Sequence, residues 1–193
     1  VEQYGAKKEL LRDLLLFHTS KGDKLITLKE YVQRMAEGQP FLYYVSAQSV
    51  EQAARLPQVE RIADQGYEIL YLTQEVDEFV VQALSEVEGK QLKSVADPDA
   101  LPETDGEKAA QEEQEAQAKP VLDFVKETLG DKIHAARLSR ILKSAPVCMS
   151  ADGPMSLEME KYFSKLEGGM PMKAQRVLEL NADSAPYAAL KAA

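Results

Sequence analysis

The first 96 residues alternate between continuous apolar runs and amphipathic segments. Runs rich in aromatic and β-branched side chains predict three buried strands, at residues 41–46, 67–72 and 91–95. Apolar positions at helical spacing predict five helices, at residues 7–17, 28–35, 49–55, 59–65 and 77–87. Thr27, with Glu30 three positions later, predicts a capping box for the second of these helices. Strands that alternate with helices in this way predict a small three-strand parallel α/β sandwich.

After residue 119 the pattern becomes that of an α+β domain. Pro120 in a first helical turn predicts a helix over residues 121–129 that ends at Gly130. Apolar runs then predict three strands, at residues 132–138, 147–150 and 175–180. One helix, at residues 155–166, is expected between the second and third of these strands.

Residues 96–119 separate the two patterns and carry most of the net charge. They contain eight acidic residues and two lysines, and their largest apolar side chain is Leu101. Such a stretch buries too little surface to offset the entropy of ordering, so its first half is expected to be a loop. Its second half, residues 106–118, is rich in Glu, Gln and Ala and predicts a solvated helix. We therefore expect a domain at 1–96, an acidic linker at 97–119 and a second domain at 120–193.

The composition excludes several classes of protein. The net charge of −9 argues against a nucleic-acid binder, and no apolar run reaches the roughly 18–20 residues of a membrane span. We therefore expect no nucleic acid and no membrane among the partners. A single cysteine, Cys148, excludes an internal disulfide framework and fits the cytoplasm. The chain begins at Val1 rather than Met, so we expect it to be part of a longer protein.

The sequence contains no motif for catalysis, cofactor binding or metal binding. Its ten glycines form neither GxGxxG nor GxxxxGK[ST]. Cys148 and His134 have the residue types of a nucleophile and a base, but both lie in apolar, strand-like runs and are better explained as buried structural residues. His18 has the same explanation, and one cysteine with two histidines argues against structural zinc.

Two predicted helices carry apolar or aromatic residues beside polar ones. In the helix at 77–87 we expect the core face to be formed by Val76, Val80, Ala83, Leu84 and Val87. Phe79 lies at the rim of that face, and Glu78 and Gln82 are expected to face solvent. Phe79 is either a half-buried edge residue or part of a contact surface formed by Glu78, Phe79 and Gln82.

The helix at 155–166 is more unusual because five apolar residues share one face. These are Met155, Met159, Tyr162, Phe163 and Leu166. Five of the six methionines lie between residues 149 and 172, and methionine suits surfaces that adapt to many partners. The face is either an ordinary core face against the neighbouring strands or an exposed surface for a partner.

Several segments resemble one known family, in order along the chain. Residues 27–45, TLKEYVQRMAEGQPFLYYV, and residues 66–78, GYEILYLTQEVDE, resemble conserved stretches of the heat-shock protein 90 chaperones. Residues 88–90, EGK, and residues 129–133, LGDKI, match further motifs of that family. Glu179-Leu180-Asn181 soon after a short methionine helix is similar to the bacterial, HtpG-type branch, although NADS at 181–184 replaces the usual NPDH.

The resemblance implies a homodimeric, ATP-driven chaperone with N-terminal ATPase, middle and C-terminal domains. This chain would cover the end of the middle domain and the start of the C-terminal domain. ATP and Mg²⁺ are then expected only in the full-length ATPase, with no cofactor in this fragment, which is itself not expected to be an enzyme. The loop whose arginine reaches the ATP γ-phosphate and the helices of the dimer bundle would lie outside the chain.

In the family, client proteins contact the late helix of the middle domain and the amphipathic helix of the C-terminal domain. The resemblance therefore places client binding at the two helices described above, in the residues Glu78, Phe79, Gln82, Met155, Met159, Tyr162 and Phe163. We expect the chain to bind unfolded or partly folded proteins and to assist folding in the stress response. The alternative is a structural connector that transmits ATPase-driven motion to the dimer interface without touching clients. An independent small-molecule enzyme would require a polar pocket that the sequence does not predict.

Overall fold

The structure of the protein, a computed structural model, describes residues 12–166 and 172–192. The chain divides into two compact units, Val1–Ala100 and Leu101–Ala193. The division falls within residues 97–119, the stretch in which the sequence predicts the linker.

A six-stranded mixed sheet forms the centre of the first unit. Its strands are β1 Leu16–Thr19, β2 Ile26–Thr27, β3 Leu42–Ser46, β4 Ile69–Leu72, β5 Glu86–Val87 and β6 Lys90–Ser94. The strand order is β2-β1-β4-β3-β6-β5. The three predicted strands form the parallel centre, because β3 pairs in parallel with both β4 and β6. Since β1, β2 and β5 add antiparallel pairs at the two ends, the sheet is larger and more mixed than the predicted three-strand sandwich.

Four short helices connect these strands, namely α1 Leu28–Arg34, α2 Val50–Ala54, α3 Glu60–Asp64 and α4 Asp77–Leu84. The predicted capping box is confirmed at α1, where Thr27 Oγ1 accepts from the backbone N of Glu30 at 3.1 Å. The Glu30 carboxylate accepts in return from the backbone N of Thr27 at 2.8 Å. Ser49 caps α2 in a similar way, with its hydroxyl 3.2 Å from the backbone N of Gln52.

Two helix predictions in the first unit are wrong at their ends. Leu16 and Phe17 belong to strand β1 rather than to the helix predicted at residues 7–17, of which residues 7–11 lie outside the described residues. The leucines before β1 have helical spacing, which favours the helix prediction. Strand β1 itself alternates between exposed and buried side chains, with Leu16 55% exposed and Phe17 3% exposed. The helix predicted at 77–87 ends at Leu84, because Ser85 takes a positive φ of 56° and the chain then enters β5.

The core of the first unit lies between the sheet and helices α1 and α4. It is formed by apolar side chains that are nearly or fully buried: Phe17, Ile26, Leu28, Tyr31, Leu42, Leu70, Leu72, Val81, Leu84 and Val87. Burying a side chain of this size contributes roughly 1.5–3 kcal/mol relative to leaving it exposed. The burial fixes the face that α4 turns toward the sheet, and with it the face that remains at the surface.

The second unit is the α+β fold that the sequence predicts. Its elements are α5 Asp105–Leu129, β7 Ala135–Leu138, β8 Val147–Asp152, α6 Leu157–Lys165, β9 Gln175–Leu180 and α7 Ala185–Ala192. The strand order is β7-β9-β8, with β9 parallel to β7 and antiparallel to β8. One face of this sheet contacts a core formed with α5 and α7, whose buried members are Ala118, Val125, Ile133, Leu138, Leu180 and Tyr187.

The second unit also corrects three sequence predictions. Helix α5 runs continuously through Pro120, which the sequence predicts to open a new helix at residue 121. The strand expected at 132–138 starts only at Ala135, because Gly130–Lys132 forms a 3₁₀ turn. The C-terminal helix α7 is not among the predicted elements, since its sequence APYAALKA has no clear apolar stripe.

Candidate client-binding surfaces

The first candidate surface lies on α4 and is formed by Glu78, Phe79 and Gln82. Phe79 is half-buried at the rim of the helix, as predicted, and Gln82 is exposed. Glu78 differs from the prediction, because it is only 8% exposed and does not face solvent. Of the three predicted residues, Phe79 and Gln82 thus remain at the α4 surface, and Glu78 is turned inward.

The buried face of α4 is rotated from the predicted one. Val81 and Leu84 are 1% and 3% exposed, whereas Val76 is 53% exposed and Ala83 is exposed. The sequence prediction places Val76 at the start of the apolar stripe. In the structure Val76 is the N-cap residue and lies outside the first full turn of α4. As a result, the apolar surface around Phe79 is larger than the sequence indicates, because Val76 adds to it.

The inward position of Glu78 has an electrostatic consequence for strand β3. Burial raises the pKa of Tyr44, and the carboxylates of Glu78 and Asp97 raise it further. Burial also raises the pKa of Asp77 at the start of α4, although the backbone N of Gln74 donates to its carboxylate at 2.9 Å. The acidic groups at this end of α4 are thus part of the folded unit and not only a solvated rim.

The second candidate surface lies on α6 and the residues that flank it. Ser156 caps the helix, with its hydroxyl 3.0 Å from the backbone N of Met159. Met159 is only 7% exposed, so it anchors the helix to its unit. Met155, Tyr162 and Phe163 are half-buried, and Leu166 is 45% exposed. The two expectations for this face therefore both hold in part: its centre is core and its edge is surface.

The aromatic part of the α6 surface is ordered by ring contact. The rings of Tyr162 and Phe163 meet edge to face, with centroids 5.6 Å apart and an interplanar angle of 71°. Met170, one of the five methionines between residues 149 and 172, lies outside the described residues. The described α6 surface thus consists of Met155, Tyr162, Phe163 and Leu166 around the buried Met159.

The polar face of α6 holds the helix in place. Arg176 of strand β9 donates to the carboxylate of Glu160 at 2.7 Å, and the backbone N of Ala174 donates to it at 3.0 Å. Glu158 and Lys161 form an ion pair one turn apart on the same helix. Glu160 on this face therefore links α6 to the start of β9.

The nucleophile pair considered for Cys148 and His134 is not assembled. Cys148 of β8 lies opposite Glu179 of β9, which in turn lies opposite Arg137 of β7. His134 directly precedes β7 and lies three residues before Arg137, so it is not beside Cys148 in the sheet. His134 is also exposed, so the prediction that it is a buried structural residue is wrong, whereas Cys148 is half-buried. Burial, and then the charge of Glu179, raise the pKa of the Cys148 thiol to about 12, which leaves it protonated at neutral pH.

A metal site and a membrane-spanning helix are two further possibilities for the described residues. Within residues 12–166 and 172–192, no three His, Cys, Asp or Glu side chains are grouped closely enough to bind a metal ion. No helix of the described chain combines the length and the hydropathy that crossing a bilayer requires. What the two units offer instead is apolar and aromatic surface on helices α4 and α6.

Sequence comparison identifies the class of protein to which these units belong. A family model described as Hsp90 protein matches residues 1–192. The chain therefore belongs to the heat-shock protein 90 family.

Within this family, the chain is similar to bacterial proteins named Chaperone protein HtpG. It is 43% identical over 188 residues to that of Bacillus velezensis, which covers 97% of this chain and 30% of the relative. It is 44% identical over 178 residues to that of Bacillus subtilis, covering 92% of this chain and 28% of the relative. It is 43% identical over 190 residues to that of Clostridium acetobutylicum, covering 98% of this chain and 30% of the relative. The chain thus spans about 30% of the length of these relatives.

Proposed function

We propose that the chain is the part of a molecular chaperone that contacts unfolded or partly folded client proteins. The observation that carries this proposal is the α6 surface, on which Tyr162 and Phe163 stay half-buried and Leu166 is 45% exposed. Large apolar side chains at a surface, rimmed by charged ones, are typical of partner sites. Membership in the heat-shock protein 90 family gives such a partner site a chaperone role.

The contact is weak and adaptable because of the residues that form it. Methionine is unbranched and polarizable, so Met155 can fit side chains of different shape. Tyr162 and Phe163 supply large contact areas with few rotatable bonds. The net charge of −9 favours clients that are basic where they are unfolded, and it opposes self-association.

The α4 surface is the second contact in this proposal. Phe79 and the exposed Val76 form its apolar part, and Gln82 supplies a polar group beside them. Because α4 and α6 belong to different units, the two surfaces are proposed as separate contacts for clients.

ATP dependence and dimer formation belong to the intact protein in this proposal. The sequence has no glycine-rich phosphate loop, and no three His, Cys, Asp or Glu side chains of the described residues are grouped closely enough to bind a metal ion. We assign nucleotide hydrolysis, with its ATP and Mg²⁺, to other parts of a homodimeric, cytoplasmic chaperone. For this chain itself we propose binding without covalent chemistry.

A structural connector is the second candidate function, and two contacts favour it. Met159 is buried, and Glu160 links α6 to β9 through Arg176 and Ala174. A helix anchored in this way can transmit motion without contacting clients.

The experiment that separates the two functions compares one substitution at two sites. A permanently unfolded, isotope-labelled protein is titrated with the chain and observed by NMR. Phe163→Ser on the α6 surface is expected to weaken binding about fivefold or more, because it removes a large apolar contact. Phe124→Ser is the matched control, since Phe124 is 56% exposed on α5 of the same unit, and it is expected to change the affinity less than about twofold.

Phe79→Ser tests the α4 surface in the same titration, and circular dichroism checks that each variant is folded. If the unchanged chain does not bind, or if both Phe163→Ser and Phe124→Ser weaken binding equally, the connector function is favoured.

A further inference from the structure

The second unit contains a polar cleft on its surface that is separate from the α6 surface. Its volume is about 350 Å³, within the range of roughly 300–1,000 Å³ that is usual for small-molecule sites. The end of α5 and the turn after it form one wall, and the residues at the start of β9 form the other. The lining residues are Lys126, Asp131, Lys132, Ile133, His134, Lys173, Ala174, Gln175 and Arg176.

The cleft concentrates positive charge in a chain that is acidic. Four of the nine lining residues are Lys or Arg, and only Asp131 is acidic, whereas the whole chain carries a net charge of −9. In the part of the chain that the structure describes, no carboxylate forms an ion pair with Lys126, Lys132 or Lys173. Among the described residues, the four cations face only Asp131 and the Glu160 carboxylate that pairs with Arg176, so the cleft has an excess of positive charge that favours an anion between the lysines.

Two of the cations are held in fixed positions. The Lys126 ammonium donates to the backbone carbonyl of Gly130 at 2.8 Å and also to that of Ile133, which leaves one of its three N–H groups for another acceptor. Arg176 is held by its ion pair with Glu160 at 2.7 Å. Lys132 and Lys173 are exposed and stand on opposite walls of the cleft. The cleft therefore combines a positioned ammonium with two lysines that can close on an anion.

We propose that this cleft binds a small oligophosphate anion through Lys126, Lys132 and Lys173. Lysine ammonium groups bind phosphate oxygens as point charges, and three of them match an anion with several charges on a short chain. The described lining contains no aromatic ring apart from the imidazole of His134, and its apolar side chains are only Ile133 and Ala174. A nucleobase therefore has little surface on which to stack, so the phosphate chain is the recognised group. The size of the cleft favours a compact anion over an extended acidic peptide.

The test is a calorimetric titration of the 193-residue chain with inorganic tripolyphosphate in Mg²⁺-free buffer. We expect saturable binding with one anion for each chain. The double variant Lys132→Gln/Lys173→Gln is expected to lower the affinity about tenfold or more, because it removes two of the three cationic contacts. The matched control is Lys108→Gln/Lys191→Gln, which changes the net charge of the same unit equally at two exposed lysines outside the cleft. This control is expected to change the affinity less than about twofold.

Two further titrations identify the recognised chemistry. ATP without Mg²⁺ is expected to bind no more tightly than tripolyphosphate, and a glutamate peptide of equal charge is expected to bind more weakly than either. The proposal is overturned if tripolyphosphate shows no saturable binding, or if the two double variants lose the same amount of affinity. It is also overturned if ATP or the peptide binds more tightly than tripolyphosphate.

Discussion

In the described part of each unit, a glutamate is almost completely buried and paired with an arginine. Glu68 on the chain before β4 is 0% exposed, pairs with Arg34 and accepts from the Thr19 hydroxyl at 2.6 Å. Glu179 of β9 is 1% exposed and accepts from Arg137 and from the Ser150 hydroxyl at 2.8 and 2.7 Å. A buried carboxylate is costly unless hydrogen bonds and an opposite charge satisfy it, and here both conditions are met.

The second of these pairs supports a prediction with an internal control. Glu179→Ala is expected to lower the free energy of unfolding of the second unit by about 3–5 kcal/mol, because Arg137 loses its buried partner. Arg137 also donates to Asp152 at 2.8 Å, but Asp152 is 40% exposed, so Asp152→Ala is expected to cost less than about 1 kcal/mol. Hydrogen exchange of the β8 and β9 amides measures both values. Equal decreases in the free energy of unfolding for the two variants would contradict a special role for the buried carboxylate.

Cys148 is expected to be chemically inert while the second unit is folded. Burial and the Glu179 charge raise its pKa to about 12, whereas an ordinary thiol has a pKa of about 8.5. At pH 8 the folded chain should therefore react with iodoacetamide at least about 100-fold more slowly than the urea-unfolded chain. Below the raised pKa the rate should increase about tenfold for each pH unit, because the thiolate fraction does so. Mass spectrometry of the alkylated chain follows the reaction, and equal rates in the folded and unfolded chains would refute the prediction.

At the scale of elements, α5 is the longest helix that the structure describes, and Pro120 lies inside it. Thr104 and Glu107 form a capping box at its start, with Thr104 N donating to the Glu107 carboxylate at 2.7 Å. Pro120 cannot donate the usual backbone hydrogen bond, and its ring crowds the carbonyl one turn earlier. The helix continues because the residues on both sides favour it and because Ala118 and Val125 are buried in the core of the second unit.

Replacing this proline is expected to stabilise the second unit. Pro120→Ala restores the missing hydrogen bond at an exposed position and should raise the free energy of unfolding by about 1–3 kcal/mol. Gln114→Ala, at another exposed position of α5, is the control and should change it by less than about 0.5 kcal/mol. Thermal unfolding followed by circular dichroism measures the difference. A destabilised Pro120→Ala variant would mean that the helix requires the proline at this position.

Helix α6 combines an anchor and a surface within nine residues. Met159 is buried in the unit and Glu160 bonds to the start of β9, while Tyr162 and Phe163 stay half-buried. A test of client binding therefore has to change Phe163 and leave Met159 in place. Truncating a buried methionine costs about 2–5 kcal/mol and would mix a loss of folding with a loss of binding.

At the scale of the whole molecule, the described residues of each unit form an apolar core of their own. The core of the first unit and the core of the α5–α7 side of the second unit share no residue. Each unit also has its own buried glutamate, with partners in the same unit. We therefore expect the two units to unfold as separate cooperative units.

Hydrogen exchange can test this separation with reciprocal variants. Glu179→Ala should accelerate exchange of the β9 amides about 100-fold or more under conditions in which whole-unit opening dominates, and the β4 amides should change less than about threefold. Glu68→Ala should produce the opposite pattern. Equal acceleration in both units by either variant would show that the chain unfolds as one.

Much of the fold could be predicted from the sequence because the signals are local. The Thr27–Glu30 capping box and the strand at residues 175–180 are predicted correctly. Helices α4 and α6 are also predicted, but the burial of Glu78 is not, and for Met159 the sequence leaves open a core face or an exposed surface. Helical spacing alone cannot say how a helix is rotated against its sheet, which decides the exposure of each position.

The sequence by itself determined the helices and strands with strong local patterns, the acidic stretch at 97–119 and the family to which the chain belongs. Only the tertiary structure decided the added strands β1, β2 and β5, the continuous helix through Pro120 and the partners of the buried glutamates. It also assembled the basic cleft, whose walls come from the end of α5 and the start of β9, which are far apart along the chain. The physical reason is that capping and periodicity act within a few residues, whereas strand pairing, burial and charge clustering depend on segments that meet only when the chain has folded.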